Sequence, residues 1–313
     1  MRWWLVGAVL LAALVVAVVL GQGPQGPAAP PRLRGSEPAP SPADAPPTVT
    51  TTTTINTRVI HDCSGRAAVA AHINAASSTG LAWEPFHRAE VGWLIYAPLI
   101  AREIHVLGCG ADTPAFADAL ATWQGAHGLP ADGVFSGQTW GVLYQELTRR
   151  RPIALGMRVG CPAPPAPERL ETIRVEEGYM GQAAQARPGV LAAYRRMVAD
   201  ARAADPQIAA DPQALTIFSG YRDPARDALR CLTEGNCDGV RRARTCSPHR
   251  TGLALDITVG ARPGGRVDST EDANRLAQSR TPAYRWLVAN ADRYGFVPYP
   301  FEPWHWEWTG EAP

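Results

Sequence analysis

Lysine is absent from this 313-residue chain, so all 30 of its Lys+Arg positions are arginine. That absence excludes chemistry: no Schiff-base lysine, no phosphate-loop lysine and no Ser-x-x-Lys nucleophile pair can exist here. Net charge is scarce too. At +1, and with no Cys-x-x-Cys module, the sequence gives no electrostatic case for nucleic acid as a partner. Histidine runs thin after residue 150, where only His249 and His305 occur.

One long apolar run is present, Trp3 to Leu20. At about 18 residues it is near the lower limit for a membrane span and longer than the core of most cleaved signal peptides. No Ala-x-Ala site follows closely and no cysteine offers a lipidation site. Residues 1–20 are therefore expected to be an uncleaved signal anchor, with a cleaved signal peptide as the alternative. Arg2 would stay on the cytoplasmic side and the rest would be exported to the periplasmic or extracytoplasmic face of a bacterial membrane. Residues 21–54, rich in Pro, Ala, Gly, Ser and finally Thr, cannot bury a core and read as a disordered spacer. Export makes sense of six cysteines. Cys63 and Cys109 precede the midpoint and are expected to form one disulfide. Cys161, Cys231, Cys237 and Cys246 are expected to form two more, with three connectivities open.

Residues 55–150 read as a small, mostly helical domain. Phe116, Leu120 and Trp123 fall on one helical face. Asp132-Gly133 marks a turn, and after Ser136-Gly137 a new helix begins whose Leu143 and Leu147 face the same core. The run of Gln124, Gly128-Leu129, Asp132-Gly133 and Gly137-Gln138-Thr139 resembles the small three-helix peptidoglycan-binding domain over about forty residues. That resemblance implies a wall-binding accessory domain.

Residues 151–313 read as a second domain. Its expected helices cover Val190 to Ala204, and part of Arg280 to Tyr294 with Gly295 as C-cap; a short strand spans Leu215 to Phe218. The fold class expected is α+β, a small antiparallel sheet with flanking helices, preceded by the helical domain. Within it, Ser247 to Asp256 reads SPHRTGLALD and runs on into Ile257-Thr258-Val259. From Leu253 the period is two, so Leu253, Leu255, Ile257 and Val259 share one face while Ala254, Asp256 and Thr258 share the other. An aspartate in mid-strand is costly to desolvate unless something positive meets it. An arginine or a metal ion would serve, and His249 at the mouth of the turn favours the metal.

The other histidine lies in Phe301-Glu302-Pro303-Trp304-His305-Trp306-Glu307-Trp308. Alternation there puts the three tryptophans on one face and His305 with Glu307 on the other. Two histidines and a carboxylate suffice for a catalytic zinc with one open position, where the pKa of water falls to about 7. A carboxylate must take the proton, and both Glu302 and Glu307 are candidates. Arg222, in Ser219-Gly220-Tyr221-Arg222, is the candidate for steadying a developing oxyanion, and Asp223-Pro224 starts the next helix as N-cap and N1.

Ser219-Gly220-Tyr221-Arg222, Ser247-x-His249-x-x-Gly252-x-Ala254-x-Asp256 and Glu302-Pro303-Trp304-His305 together resemble the zinc D-alanyl-D-alanine carboxypeptidases of the VanY type and related zinc peptidoglycan endopeptidases. The resemblance implies one Zn²⁺ on His249, Asp256 and His305, Glu302 as general base and Arg222 at the substrate carbonyl. It also implies that Ser247, with Ser219 and Tyr221, helps to hold a peptidoglycan stem peptide. Pro303 cannot continue a regular ladder, and the turn it permits brings Glu302 round in preference to Glu307. The expected activity is zinc-dependent hydrolysis of stem peptides, most simply at D-Ala-D-Ala. Alternatives within the family are an L,D-carboxypeptidase and an L-Ala-D-Glu endopeptidase; outside catalysis, a wall-binding protein remains. A serine D,D-carboxypeptidase is excluded by the missing lysine.

Overall fold

Small polar residues ahead of apolar stripes start several of the helices. The hydroxyl of Thr113 accepts the Phe116 N–H and that of Ser136 accepts the Thr139 N–H, each satisfying an amide that a helix N-terminus leaves without a partner. The structure, a computed structural model, describes residues 62–158, 160–234 and 246–313, which belong to one compact unit, Thr53–Pro313. The apolar run at residues 3–20, the spacer and Cys237 lie outside the described residues, as does the Cys231 side chain. Among the described residues no helix is long and apolar enough to cross a membrane.

The first part carries α1 (Ala68–Gly80), a short antiparallel ribbon of β1 (Ala82–Trp83) and β2 (Glu90–Val91), then α2 (Ala97–Glu103), α3 (Pro114–Ala126), α4 (Gly137–Arg149) and α5 (Pro152–Gly156). Phe116, Leu120 and Trp123 are buried on α3 as their spacing predicts, and so are Leu143 and Leu147 on α4. All of these but Leu147 join an aromatic core with Trp93, Tyr96, Phe135 and Trp140, into which Phe301 from the far end of the chain also inserts. The Cys63–Cys109 disulfide is formed.

Next comes a ribbon of β3 (Glu171–Thr172) and β4 (Gln185–Ala186), followed by α6 (Pro188–Ala204), α7 (Pro206–Ala210), β5 (Ile217–Ser219) and α8 (Pro224–Glu234). The chain ends with β6 (Ala254–Ile257), α9 (Asp272–Ser279), α10 (Pro282–Asn290), β7 (Phe296–Pro298) and β8 (His305–Trp308). The fold is α+β. Its main sheet is antiparallel throughout in the order β5-β6-β8-β7. Leu253, Leu255, Ile257 and Val259 all enter the core that α6 and α10 cover, so the period-two apolar face read from the sequence is the one that joins the hydrophobic core. Trp304 and Trp306 join that core, with Trp308 packed at its edge. Gly295 closes the last helical segment at φ 84°, a conformation open to glycine at little cost. Cys161 is bonded to Cys246, which fastens the segment leading into His249.

Candidate functional site

Strand register assembles the site. Ser219 on β5 lies opposite Asp256 on β6, and Asp256 lies opposite His305 on β8. Residues directly opposite on neighbouring strands put their side chains on one face, about 4.5–5.5 Å apart. The face they share is the one turned away from the core, which carries Asp256 rather than Leu255 and His305 rather than Trp306.

His249 arrives from a different direction. It sits in a 3₁₀ turn, Pro248–Thr251, immediately before β6, and the turn closes at Gly252 with φ 70°. A Cβ there would be strained by that φ and would also press within 3.2 Å of Leu170 and Arg187 side-chain atoms, which explains the glycine. His249 Nδ1 lies 2.6 Å from the Gly220 carbonyl oxygen, an acceptor, so Nδ1 carries the proton and Nε2 keeps its lone pair. Nε2 is 3.2 Å from Asp256 Oδ2, while His305 Nδ1 is 2.9 Å from Asp256 Oδ1. The three side chains are buried, and one ligand atom from each lies within 4.8 Å of the other two.

This donor set fits a divalent metal. Bonds of about 2.0–2.1 Å in a tetrahedral site place ligand atoms roughly 3.3 Å apart, close to the 2.9 and 3.2 Å found here. Charge tells the same story. Burial opposes ionisation of Asp256, but the two imidazoles outweigh it and hold the carboxyl well below the usual range. Burial depresses His249. It acts against His305 as well, yet the hydrogen bonds to Asp256 and Glu307 raise that imidazole to about 9. The pocket thus calls for positive charge beside Asp256, which a proton supplies when no metal does and a dication supplies in its place.

Glu302 and Glu307 part company in the structure. Glu302 lies in a turn in which its N–H donates to the Tyr299 carbonyl and its own carbonyl accepts the His305 N–H. Its carboxylate lines the cleft, with Oε2 4.0 Å from His305 Nδ1, and burial pushes it up to about 7. Glu307 is buried and fully engaged: Arg151 Nε and the Ile153 N–H both donate to it, and His305 Nε2 lies 3.4 Å away. Burial would raise Glu307, but Arg151 dominates and brings it to about 2.

A cleft of about 890 Å³ opens over these groups. Ser219, Arg222, Ser247 and Glu302 line it beside His249, Asp256 and His305. Tyr221 is not among its lining residues; the chain turns there as the Tyr221 N–H bonds to the Gln185 carbonyl. Ser247 caps the His249 turn by accepting its N–H, and it also accepts Arg222 Nη2 at 3.0 Å, so its hydroxyl is engaged within the protein. Arg222 is held further by buried Asp227, 3.2 Å from Nε, and its Nη1 lies 4.0 Å from Asp256. Sequence reading missed Arg151 and the residues Pro85, Phe86, His87, Tyr144 and Thr148, which form a wall of the same cleft from the helical part. No local pattern in the sequence marks them.

Residues 183–311 match the family model described as VanY, D-alanyl-D-alanine carboxypeptidase. This part of the chain is similar to the VanY family. Its members act as peptidases on peptidoglycan peptides, and the matched stretch of the VanY domain contains every residue of the His-Asp-His cluster together with Glu302 and Arg222. No curated protein matches the chain. The match leaves α1 to α5 outside the matched stretch, although residues of this helical part line the same cleft.

Proposed function

We propose that the protein is a zinc peptidase that removes the terminal D-alanine from peptidoglycan stem peptides ending in D-Ala-D-Ala. The observation that carries this reading is the convergence, in one cleft of a VanY-like domain, of a buried His-Asp-His donor set with a second carboxylate, Glu302. His249 through Nε2, Asp256 through its carboxylate and His305 would hold the ion. When bound, zinc polarises the scissile carbonyl and brings the pKa of water to about 7.

The remaining roles fall to the protein's own groups. Gly220 fixes the His249 tautomer by accepting from Nδ1, so the ring presents Nε2 without rearrangement. Glu302 accepts a proton from the attacking water and returns it to the leaving amine. A carboxyl raised toward 7 by burial suits both transfers at neutral pH, and a dication nearby pulls the value back down. Arg222 is held by Ser247 and Asp227 before substrate arrives, so its charge is preorganised for the oxyanion. Ser219 and Ser247 then shape the cleft floor, with Ser247 acting through Arg222. An exported position, anchored through residues 1–20, would bring the cleft to the wall.

The test is digestion of defined muropeptides followed by mass spectrometry, with zinc-loaded, chelated and zinc-restored protein. The expected product is tetrapeptide plus free D-alanine, lost in chelator and regained with zinc. Cleavage only between L-Ala and D-Glu, or release of D-alanine from tetrapeptide, would replace the D,D assignment with an endopeptidase or L,D activity. Absence of turnover on every wall peptide would favour a binding protein.

A further inference from the structure

The residue that grips Glu307 comes from outside the VanY-matched stretch. Arg151 follows α4, and its position is fixed from behind: Arg150 beside it makes a paired hydrogen bond to Glu103 at 2.9 and 2.6 Å, clamping the end of α4 to α2. Arg151 then reaches into the sheet. Its Nε donates to Glu307 Oε1 at 2.7 Å, Nη2 pairs with the same oxygen, and the Ile153 N–H donates to the other oxygen at 3.1 Å. Glu307 Oε1 in turn faces His305 Nε2 at 3.4 Å, while the opposite ring atom, Nδ1, faces Asp256. A second route runs through Tyr299: the Arg151 guanidinium lies 4.2 Å from the Tyr299 ring centre, and that ring stands edge-on to His305 at 5.9 Å.

We propose that Arg151 is a positioning residue for the centre, acting through Glu307 and Tyr299 to fix the His305 ring, so that the helical part completes the site. This rests on the metal-centre reading given above. The physical argument concerns a buried charge. The Glu307 side chain is 1% exposed and its strand places it opposite Ala254 and Val297, so its two-pronged contact with Arg151 is what holds the carboxylate in place. With Arg151 in place, Glu307 accepts from His305 Nε2 and leaves Nδ1 free to act beside Asp256. Without Arg151, the carboxylate has only the Ile153 N–H and the imidazole to compensate it, and the ring loses its reference. Outer partners of metal-bound histidines typically change metal affinity or activity by about 10–100-fold.

The experiment compares wild type with Arg151→Met, Arg151→Lys, Glu307→Gln and the Arg151→Met/Glu307→Gln pair. Zinc affinity is read by competition with a chromophoric chelator, the ligand field by the visible spectrum of cobalt(II)-substituted protein, and kcat and KM on pentapeptide muropeptide. Arg151→Met is expected to weaken zinc binding about 10–100-fold, shift the cobalt spectrum and lower kcat with KM nearly constant. The double variant should lose little more than either single one, because both act along one chain of contacts. Should Arg151→Met fail to fold, Arg151→Lys decides the matter, since it keeps the charge but not the planar fork, and it too should show a shifted spectrum and weaker zinc binding. A folded Arg151 variant with wild-type zinc affinity and spectrum overturns the proposal. So does a rise in KM alone, which would make Arg151 a substrate contact in the cleft wall. A wild type that binds zinc but cleaves no wall peptide defeats the peptidase reading, and the zinc and cobalt measurements still decide the role of Arg151. A wild type that binds no zinc overturns both.

Discussion

Two buried polar clusters in this molecule look alike in composition and differ in what they leave over. In the helical part, Asn74 and Gln124 are almost fully buried, and both the nitrogen and the oxygen of each side-chain amide are engaged. Asn74 donates to the Gly133 carbonyl and accepts the Phe135 N–H; Gln124 donates to Asp132, Val134 and Thr139 and accepts the Gly133 N–H. The network pins the turn at residues 132–135 and points nowhere else. In the sheet, His249, Asp256 and His305 are equally buried, yet their lone pairs converge on one point at the floor of a cleft. A closed network is an element of architecture, whereas a convergent one has room for a ligand.

The sharpest way to break this comparison is to remove a donor from the convergent cluster. His249→Ala or His305→Ala should abolish both stoichiometric zinc and hydrolysis, read by elemental analysis and muropeptide turnover. Zinc and activity retained in either variant would dissolve the distinction. Next in size is Glu302→Gln, expected to keep zinc and peptide binding while turnover falls about 10²–10⁴-fold. Full activity there would return the general-base role to an unidentified group.

The closed network predicts the opposite pattern. Gln124→Leu leaves the Gly133 N–H without its partner, at about 1–3 kcal/mol for each buried group left unmade. Denaturant melts should show that loss while zinc affinity and kcat per folded molecule stay at wild-type values. The smallest effect concerns acid. Burial would raise Glu177, but the Arg195 guanidinium and the Arg174 N–H outweigh it and hold its carboxyl below the usual 4.5. A depressed folded-state value means its stabilisation is present above that ordinary value and disappears as pH falls through the lower folded one. Glu177→Gln should therefore flatten the acid limb of stability below about pH 4.5 and leave its slope near neutrality unchanged, as urea melts across pH would register.

Much of the sheet was legible because period-two patterning and burial are local. Leu253 to Val259 announced both its core face and the odd aspartate, and Pro303 announced the turn that brings Glu302 to the cleft. Helix starts at Thr113, Ser136 and Asp223 follow from side chains that cap their own backbone. What stayed hidden was long-range charge pairing. Arg275, fully buried, bonds to Glu90, Tyr96 and the Phe301 carbonyl next to Glu302, across 185 residues in the case of Glu90. Arg151 meets Glu307 across 156. In a chain with 30 arginines, nothing local distinguishes these two from the rest. Ser247, expected from its motif to hold substrate, lines the cleft, and the turn-capping and Arg222 contacts of its hydroxyl were not legible in the sequence.

The strand order carries a consequence in time. β8, last of the strands along the chain, is not an edge but sits between β6 and β7. His305 faces Asp256 only after that strand has slid into the middle of the sheet, and such distant pairings are among the slower events of folding. A chain still being synthesised therefore carries His249 and Asp256 without the third donor. On the function proposed above, metal binding and hydrolysis would both wait for the finished sheet, and a growing or incompletely folded copy would be chemically silent.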